Sequence, residues 1–289
     1  MYTIENDSLK VIVKPKGAEL DSIYYKQTGL EYMWGGDPAF WGKKSPVLFP
    51  VVGELKNQTY YYENKPYLLS RHGFAREMEF TLVERNSDSI TLSLTSSEAT
   101  LSKFPFDFEF SLIYKISRNQ LSVTYKVQNT DKKQLFFSVG GHPAFKVPIT
   151  SDTTYNDYYL EFDQNETTGR WPISKDGLIE KSPVALLKNS NKISLSKELF
   201  YHDAIVLKNL KSGKVKLLSN KISNSLEFDF HEFPFLGIWA AKNADFVCIE
   251  PWCGIADSVD SNQQLVNKEG INQLNAGAGF ERTWSVKVF

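Results

Sequence analysis

Apolar residues that alternate with polar ones along many short runs are the feature that most constrains the fold of this chain. The alternation is clearest in residues 108–115 (FEFSLIYK) and 120–127 (QLSVTYKV), which a short polar turn separates. A period of two places successive side chains on opposite faces of a strand. Ten or more such runs, with almost no helical pattern, predict an all-β protein built as a large antiparallel β-sandwich.

A few segments depart from this pattern. Residues 183–189 and 196–200 predict short helices, and residues 46–53 are apolar but interrupted by prolines, which predicts buried irregular chain and not a central strand. No linker rich in Pro, Gly or Ser and no internal repeat divides the 289 residues. We therefore predict one domain that spans residues 1–289.

The charge balance argues against a polyanionic partner. The chain has 33 basic and 34 acidic residues, so nothing in its net charge attracts nucleic acid or an anionic membrane. The first residues lack the basic and apolar regions of a secretory signal, and no apolar stretch is long enough to span a bilayer. The two cysteines, Cys248 and Cys253, match neither a disulfide framework nor a zinc motif. We expect a cytoplasmic protein with a small-molecule partner, with monomer and homodimer both open.

The motif GGHPAF fixes the direction of one imidazole. Gly140 and Gly141 permit a tight turn, and Pro143 biases His142 towards an extended conformation at a strand end. A histidine placed in this way either caps the strand or exchanges protons near neutral pH. His72 lies in a second glycine-flanked motif, RHGFAR.

Glu250 ends the apolar run FVCIE, where a buried carboxylate is costly unless it is paired or used. Burial would raise its pKa towards the range of a general base, although a salt bridge to an arginine would also explain it. Three aromatic residues are candidates for contact with a ligand, namely Trp34, Phe74 and Trp252. Each either offers an apolar face to a sugar ring or belongs to the core. No nucleophile motif, phosphate loop or metal-ligand spacing appears, so we predict no metal.

The motifs RHGFAR, GGHPAF, CIEPW and the strand opened by Asp203 together resemble the aldose 1-epimerase (galactose mutarotase-like) family, and more narrowly its LacX-type branch. The resemblance implies one large β-sandwich, a sugar site on a concave sheet face and no cofactor. By motif, Glu250 would be the general base that deprotonates the anomeric hydroxyl, and His142 the general acid that protonates the ring oxygen. His72 and Asp203 would bind the sugar.

The chain departs from the family at the segment Gly53-Glu-Leu-Lys-Asn57, where galactose mutarotases carry an arginine-bearing element. The form HGFAR resembles instead the hexose-6-phosphate mutarotases, which implies that Arg76, helped by Arg71 and Lys56, would face a phosphate. We therefore expect an aldose 1-epimerase acting on a hexose or a hexose phosphate. A non-catalytic sugar-binding or sensing protein is the alternative, and a glycosidase or lyase using Glu250 and Asp203 is a third.

Overall fold

The computed structural model describes all 289 residues, and almost all of its regular structure is β. The strands, in chain order, are β1 (Tyr2–Glu5), β2 (Leu9–Val13), β3 (Leu20–Tyr25), β4 (Leu30–Glu31), β5 (Val47–Leu48), β6 (Thr59–Tyr62), β7 (Lys65–Leu68), β8 (Thr81–Arg85), β9 (Ser89–Thr95), β10 (Phe108–Ser117), β11 (Gln120–Asn129), β12 (Leu135–Phe137), β13 (Val139–Gly141), β14 (Ala144–Lys146), β15 (Tyr158–Arg170), β16 (Val184–Ser194), β17 (Ile205–Lys208), β18 (Lys214–Ser219), β19 (Leu226–Asp229), β20 (Phe235–Trp239), β21 (Phe246–Cys253), β22 (Asn272–Leu274) and β23 (Gly279–Val288).

The helical segments are a single turn of α-helix, α1, and five short 3-10 helices. They span Glu98–Leu101 (α1) and Lys56–Gln58, Ala75–Glu77, Tyr155–Asp157, Lys197–Phe200 and Leu265–Asn267 (3-10). None of them is long and apolar enough to cross a membrane.

Two large antiparallel sheets dominate the architecture. The first has nine strands in the order β16-β15-β18-β19-β23-β11-β10-β9-β8, and the second has the order β17-β20-β21-β13-β5, with β14 also paired to β21. A four-stranded sheet, β1 to β4, and the pairs β6-β7 and β12-β22 complete the fold. The predicted large antiparallel β-sandwich is confirmed.

The alternation in the sequence accounts for the packing of these sheets. In β10 and β11 the apolar positions are buried at nearly every second residue, as a strand with one core face requires. The side chains that meet between the sheets include Phe145 of β14 and Phe228 of β19, whose ring centroids lie 5.8 Å apart. These side chains belong to one continuous core, which holds the second sheet rigidly behind the site described below.

The helical predictions have mixed outcomes. A short helix at residues 196–200 is confirmed, because Lys197–Phe200 forms a 3-10 helix. The helix predicted at residues 183–189 is wrong, because these residues pair with β15 as part of β16. That edge strand has several register shifts and exposed apolar residues, so its sequence lacks the regular alternation that marks a strand. Residues 46–53 are buried and irregular except for the two residues of β5.

Candidate active site

A cavity of about 240 Å³ lies against the second sheet, where residues of β17, β20 and β21 meet the segments 53–76 and 171–179. This volume is below the ~300–1,000 Å³ typical of pockets for drug-sized ligands, so it suits one small polar molecule. Seven of the candidate side chains named from the sequence line it, namely Arg71, His72, Arg76, His142, Asp203, Glu250 and Trp252.

The hydrogen bonding of β21 explains how His142 comes to face Glu250. Along one edge, β21 pairs first with β14, through Cys248, and then with β13, through Trp252. His142 and Pro143 connect these two short strands, so they lie beside the part of β21 that carries Glu250. The Ile249 amide donates to the Pro143 carbonyl at 3.2 Å and closes this connection against the strand.

His142 and Glu250 form a buried pair at the cavity. His142 Nε2 lies 3.3 Å from Glu250 Oε2, and the two side chains are 10% and 2% exposed. The Glu250 Oε2 atom nevertheless has no hydrogen bond of acceptable geometry to the protein. Sequence reasoning placed Glu250 at a strand end; in the structure β21 continues through Cys253, so the carboxylate stands inside the strand.

The pKa values of both groups are displaced towards the uncharged forms. Burial, followed by the charge of Asp203, raises the pKa of the Glu250 carboxyl well above its usual range. Burial lowers the pKa of His142 to about 3, and the nearby charges of Arg76 and Arg71 act in the same direction. Both shifts favour the uncharged forms, a carboxylic acid at Glu250 and a neutral imidazole at His142.

His72 is fixed in one tautomer by its neighbour Gly53. The Gly53 amide donates to His72 Nδ1 at 3.1 Å, and the His72 amide donates to the Gly53 carbonyl at 2.9 Å. Burial, the imidazole of His142 and two arginines lower the pKa of His72 well below 6.5, so the ring is neutral and Nε2 carries the proton. The rings of His72 and His142 lie edge to face, 5.7 Å apart.

Strained backbone marks two of the lining residues. His72 and Asp203 have φ values of 67° and 75°, in the left-handed region that few residues other than glycine adopt. Such strain persists only where the surrounding structure enforces it, and it occurs often at functional sites. The Asp203 carboxylate accepts a hydrogen bond from the Ala204 amide at 2.7 Å, which orients it at the start of β17.

The aromatic lining differs from the one expected. Trp252 lines the cavity, whereas Trp34 and Phe74 do not. Trp41 and Trp239 line it instead, with ring centroids 4.9 Å and 5.5 Å from that of His142. Trp41 comes from an irregular loop, and no pattern in the sequence indicated which of its aromatic side chains faces the ligand.

The three candidate cations separate in the structure. Arg71 and Arg76 line the cavity, but Lys56 does not; its Nζ lies 3.3 Å from the Ser261 carbonyl. Arg71 Nε lies 3.3 Å from Glu54 Oε2, and Arg76 Nη2 donates to the Arg71 carbonyl at 2.9 Å. Lys56 is therefore excluded from the site proposed below.

One cluster of side chains carries atoms of the kind that ligate a soft divalent cation. Ligand atoms of His142, Cys248 and Glu250 lie within 4.8 Å of one another, and all three residues are buried. Burial raises the pKa of the Cys248 thiol well above its usual range, so it is protonated, and Cys248 does not line the cavity. The arrangement thus favours proton transfer by His142 and Glu250 over metal binding.

Comparisons with known proteins agree with this geometry. A family model described as aldose 1-epimerase matches residues 1–268. The chromosomal LacX protein of Lactococcus lactis subsp. lactis is 34% identical over 280 residues, which cover 94% of this chain and 93% of that one.

Solved structures of two similar proteins extend the match to the whole fold. A galactose mutarotase related enzyme from Lactobacillus acidophilus is 36% identical with a TM-score of 0.95, over 100% of this chain and 97% of the other. A galactose mutarotase-like protein from Lactobacillus casei is 31% identical with a TM-score of 0.93, over 100% of both chains.

Proposed function

The chain belongs to the aldose 1-epimerase family, and we propose that it is a mutarotase that interconverts the α and β anomers of a hexose. The family and its mutarotase-like neighbours support a sugar epimerase or mutarotase role. The observation that carries the proposal is the buried pair of His142 and Glu250, 3.3 Å apart at a cavity for one small polar molecule.

The reaction needs one base and one acid at the same carbon. Glu250 takes the proton of the anomeric hydroxyl, His142 gives a proton to the ring oxygen, and the bond between C1 and the ring oxygen breaks. Rotation about C1–C2 and the reverse transfers close the ring as the other anomer. Because both oxygens are bonded to C1, adjacent acid and base groups can serve both. General acid–base catalysis of this kind contributes about 10²–10⁴-fold.

The single proton of the pair is sufficient for this cycle. When this proton moves from Glu250 to His142, it produces the carboxylate base and the imidazolium acid without a change in total charge. Bound sugar hydroxyls stabilise the charged form, since hydrogen bonds to a charged group oppose desolvation.

The other lining residues orient the sugar. His72, with its fixed Nε2–H, donates to a ring or hydroxyl oxygen, and the Asp203 carboxylate accepts from hydroxyl groups. Trp41, Trp239 and Trp252 provide apolar surface for the C–H patches of the ring. These contacts hold the anomeric carbon against the acid–base pair.

Exchange of anomers in freshly dissolved hexoses, followed by polarimetry and by NMR exchange, tests the proposal. The wild type is expected to accelerate exchange, and Glu250→Gln to lose about 10²–10⁴-fold of the acceleration because the base is absent. Binding of the sugar, measured by calorimetry, is expected to fall much less.

A folded Glu250→Gln variant that keeps near wild-type exchange would show that the base is elsewhere. Sugar binding by a wild type without exchange would favour the non-catalytic sugar-binding or sensing role.

A further inference from the structure

Glu54 is the counter-ion of the cationic side of the cavity. Its Oε2 lies 3.3 Å from Arg71 Nε. Burial lowers the pKa of Arg76, and the charge of Glu77 followed by that of Glu54 opposes this shift. Both arginines line the cavity with Glu54, so one carboxylate acts on both guanidinium groups.

The backbone of Glu54 is held in place by a buried polar network. The Asp257 amide donates to the Glu54 carbonyl at 2.8 Å, and Asp257 Oδ2 accepts from the Lys56 amide at 3.0 Å. Asp257 also forms a buried ion pair with Lys268, whose Nζ lies 2.7 Å from Oδ1. These contacts leave the segment that carries Glu54 little freedom to move away from Arg71.

Gly177 packs against the guanidinium group of Arg71. A Cβ atom at Gly177 would lie 2.0 Å from Arg71 Nη2 and 3.2 Å from Glu54 Cβ. The glycine has φ of +79° and lines the cavity, so the loop backbone packs directly on the guanidinium. Gly177 and Glu54 therefore both pack against Arg71, and the ion pair through Nε holds its guanidinium group beside the Glu54 carboxylate.

The second carboxylate oxygen of Glu54 has no partner within the protein. Its Oε1 is buried and has no hydrogen-bond partner, although an unsatisfied buried carboxylate oxygen is costly. Because Glu54 lines the cavity, a donor on the ligand can satisfy this atom. A sugar hydroxyl is such a donor, whereas a phosphate group at neutral pH is chiefly an acceptor and repels the carboxylate.

We propose that Glu54 is a specificity-determining residue that makes this site select an uncharged hexose over a hexose phosphate. It neutralises part of the charge of Arg71, offers Oε1 to a sugar hydroxyl, and, with Asp203, adds negative charge to the cavity lining that a phosphate group would meet. The proposal rests on the proposed function for its substrate class. The motif HGFAR suggests a phosphorylated sugar and Glu54 an uncharged one, and we favour the uncharged sugar.

Binding of glucose and of glucose 6-phosphate by calorimetry, beside anomer exchange of both, tests this inference. The wild type is expected to prefer glucose at least tenfold. Glu54→Gln, which keeps the shape but removes the charge, is expected to shift the ratio of the two affinities at least tenfold towards glucose 6-phosphate. Added salt should weaken that shift, and Glu54→Gln with Arg71→Gln should reverse it.

Glu281→Gln is the matched control, since Glu281 is exposed on β23, away from the cavity, and the same charge is removed. It is expected to leave the ratio unchanged. A wild type that prefers glucose 6-phosphate, or an unchanged ratio in folded Glu54→Gln, would overturn the inference. Exchange without the predicted selectivity would refute only this inference, and selective binding without exchange would refute only the proposed catalysis.

Discussion

The most informative residues are two side chains whose burial opposes their charged forms. Burial favours the neutral state of both Glu250 and His142, an arrangement in which the pair carries a single proton. Titration of such a pair is described by values for the pair and not by those of either residue alone. The proton can lie on the carboxyl or on the imidazole without any exchange with solvent.

The pH dependence of catalysis follows from this sharing. An isolated histidine acid would require protonation near pH 6.5, but the pair gains a second proton only as pH approaches the His142 pKa of about 3. We therefore expect kcat/KM for anomer exchange, corrected for exchange in buffer alone, to stay level between about pH 5 and 7. A fall in kcat/KM as pH rises through about 6.5, which an isolated histidine acid would produce, would contradict the one-proton pair.

The sequence was sufficient to predict Glu250 and His142 as site residues, but it did not predict the residues that surround them. The apolar run before Glu250 and the glycines before His142 were sufficient to suggest buried, directed groups. Trp41 and the ion pair of Arg71 with Glu54 were not predictable, because each depends on which loop side chains turn inwards. Trp239 ends β20, and the sequence did not show that its side chain faces the cavity. Loop conformation is set by long-range contacts and not by local pattern.

At the scale of the elements, the site depends on an interruption in the edge of β21. Because β13 and β14 pair with different parts of that strand, the two residues between them leave the regular ladder. Only the Pro143 carbonyl still accepts from the Ile249 amide, and His142 can face Glu250. The Trp252 side chain of the same strand lies over Gly237 of β20, where a Cβ atom would lie 2.4 Å from the indole ring. The missing side chain of Gly237 therefore makes room for the lining indole.

Gly237→Ala is expected to displace Trp252 and to raise KM for the sugar, with a cost of about 1–3 kcal/mol in stability from overpacking. Gly35→Ala is the matched control, because no heavy atom lies within 4 Å of its Cβ position and its φ is not positive. Kinetics and thermal unfolding of both variants test the prediction. Equal KM values and equal thermal stabilities of the two variants would mean that the indole can move aside without a cost in free energy.

At the scale of the whole molecule, the site is assembled by strand pairing between residues that are far apart in sequence. His72, His142, Asp203 and Glu250 lie far apart in sequence, and the second sheet and its loops bring them to one cavity. The alternation of apolar residues was sufficient to predict the sandwich and most strands. It was not sufficient for β16, whose irregular pairing is stabilised by its neighbour β15 and not by its own pattern.

The central claim is that His142 and Glu250 catalyse anomer exchange as one unit, and a double-mutant cycle tests it most directly. Exchange rates would be measured by NMR for the wild type, His142→Asn, Glu250→Gln and the double variant, with thermal unfolding to confirm that each is folded. Because ring opening needs both proton transfers, each single change is expected to remove most of the acceleration, and the double variant to be little slower than the slower single one. Losses that multiply in the double variant would instead show that the two residues act independently.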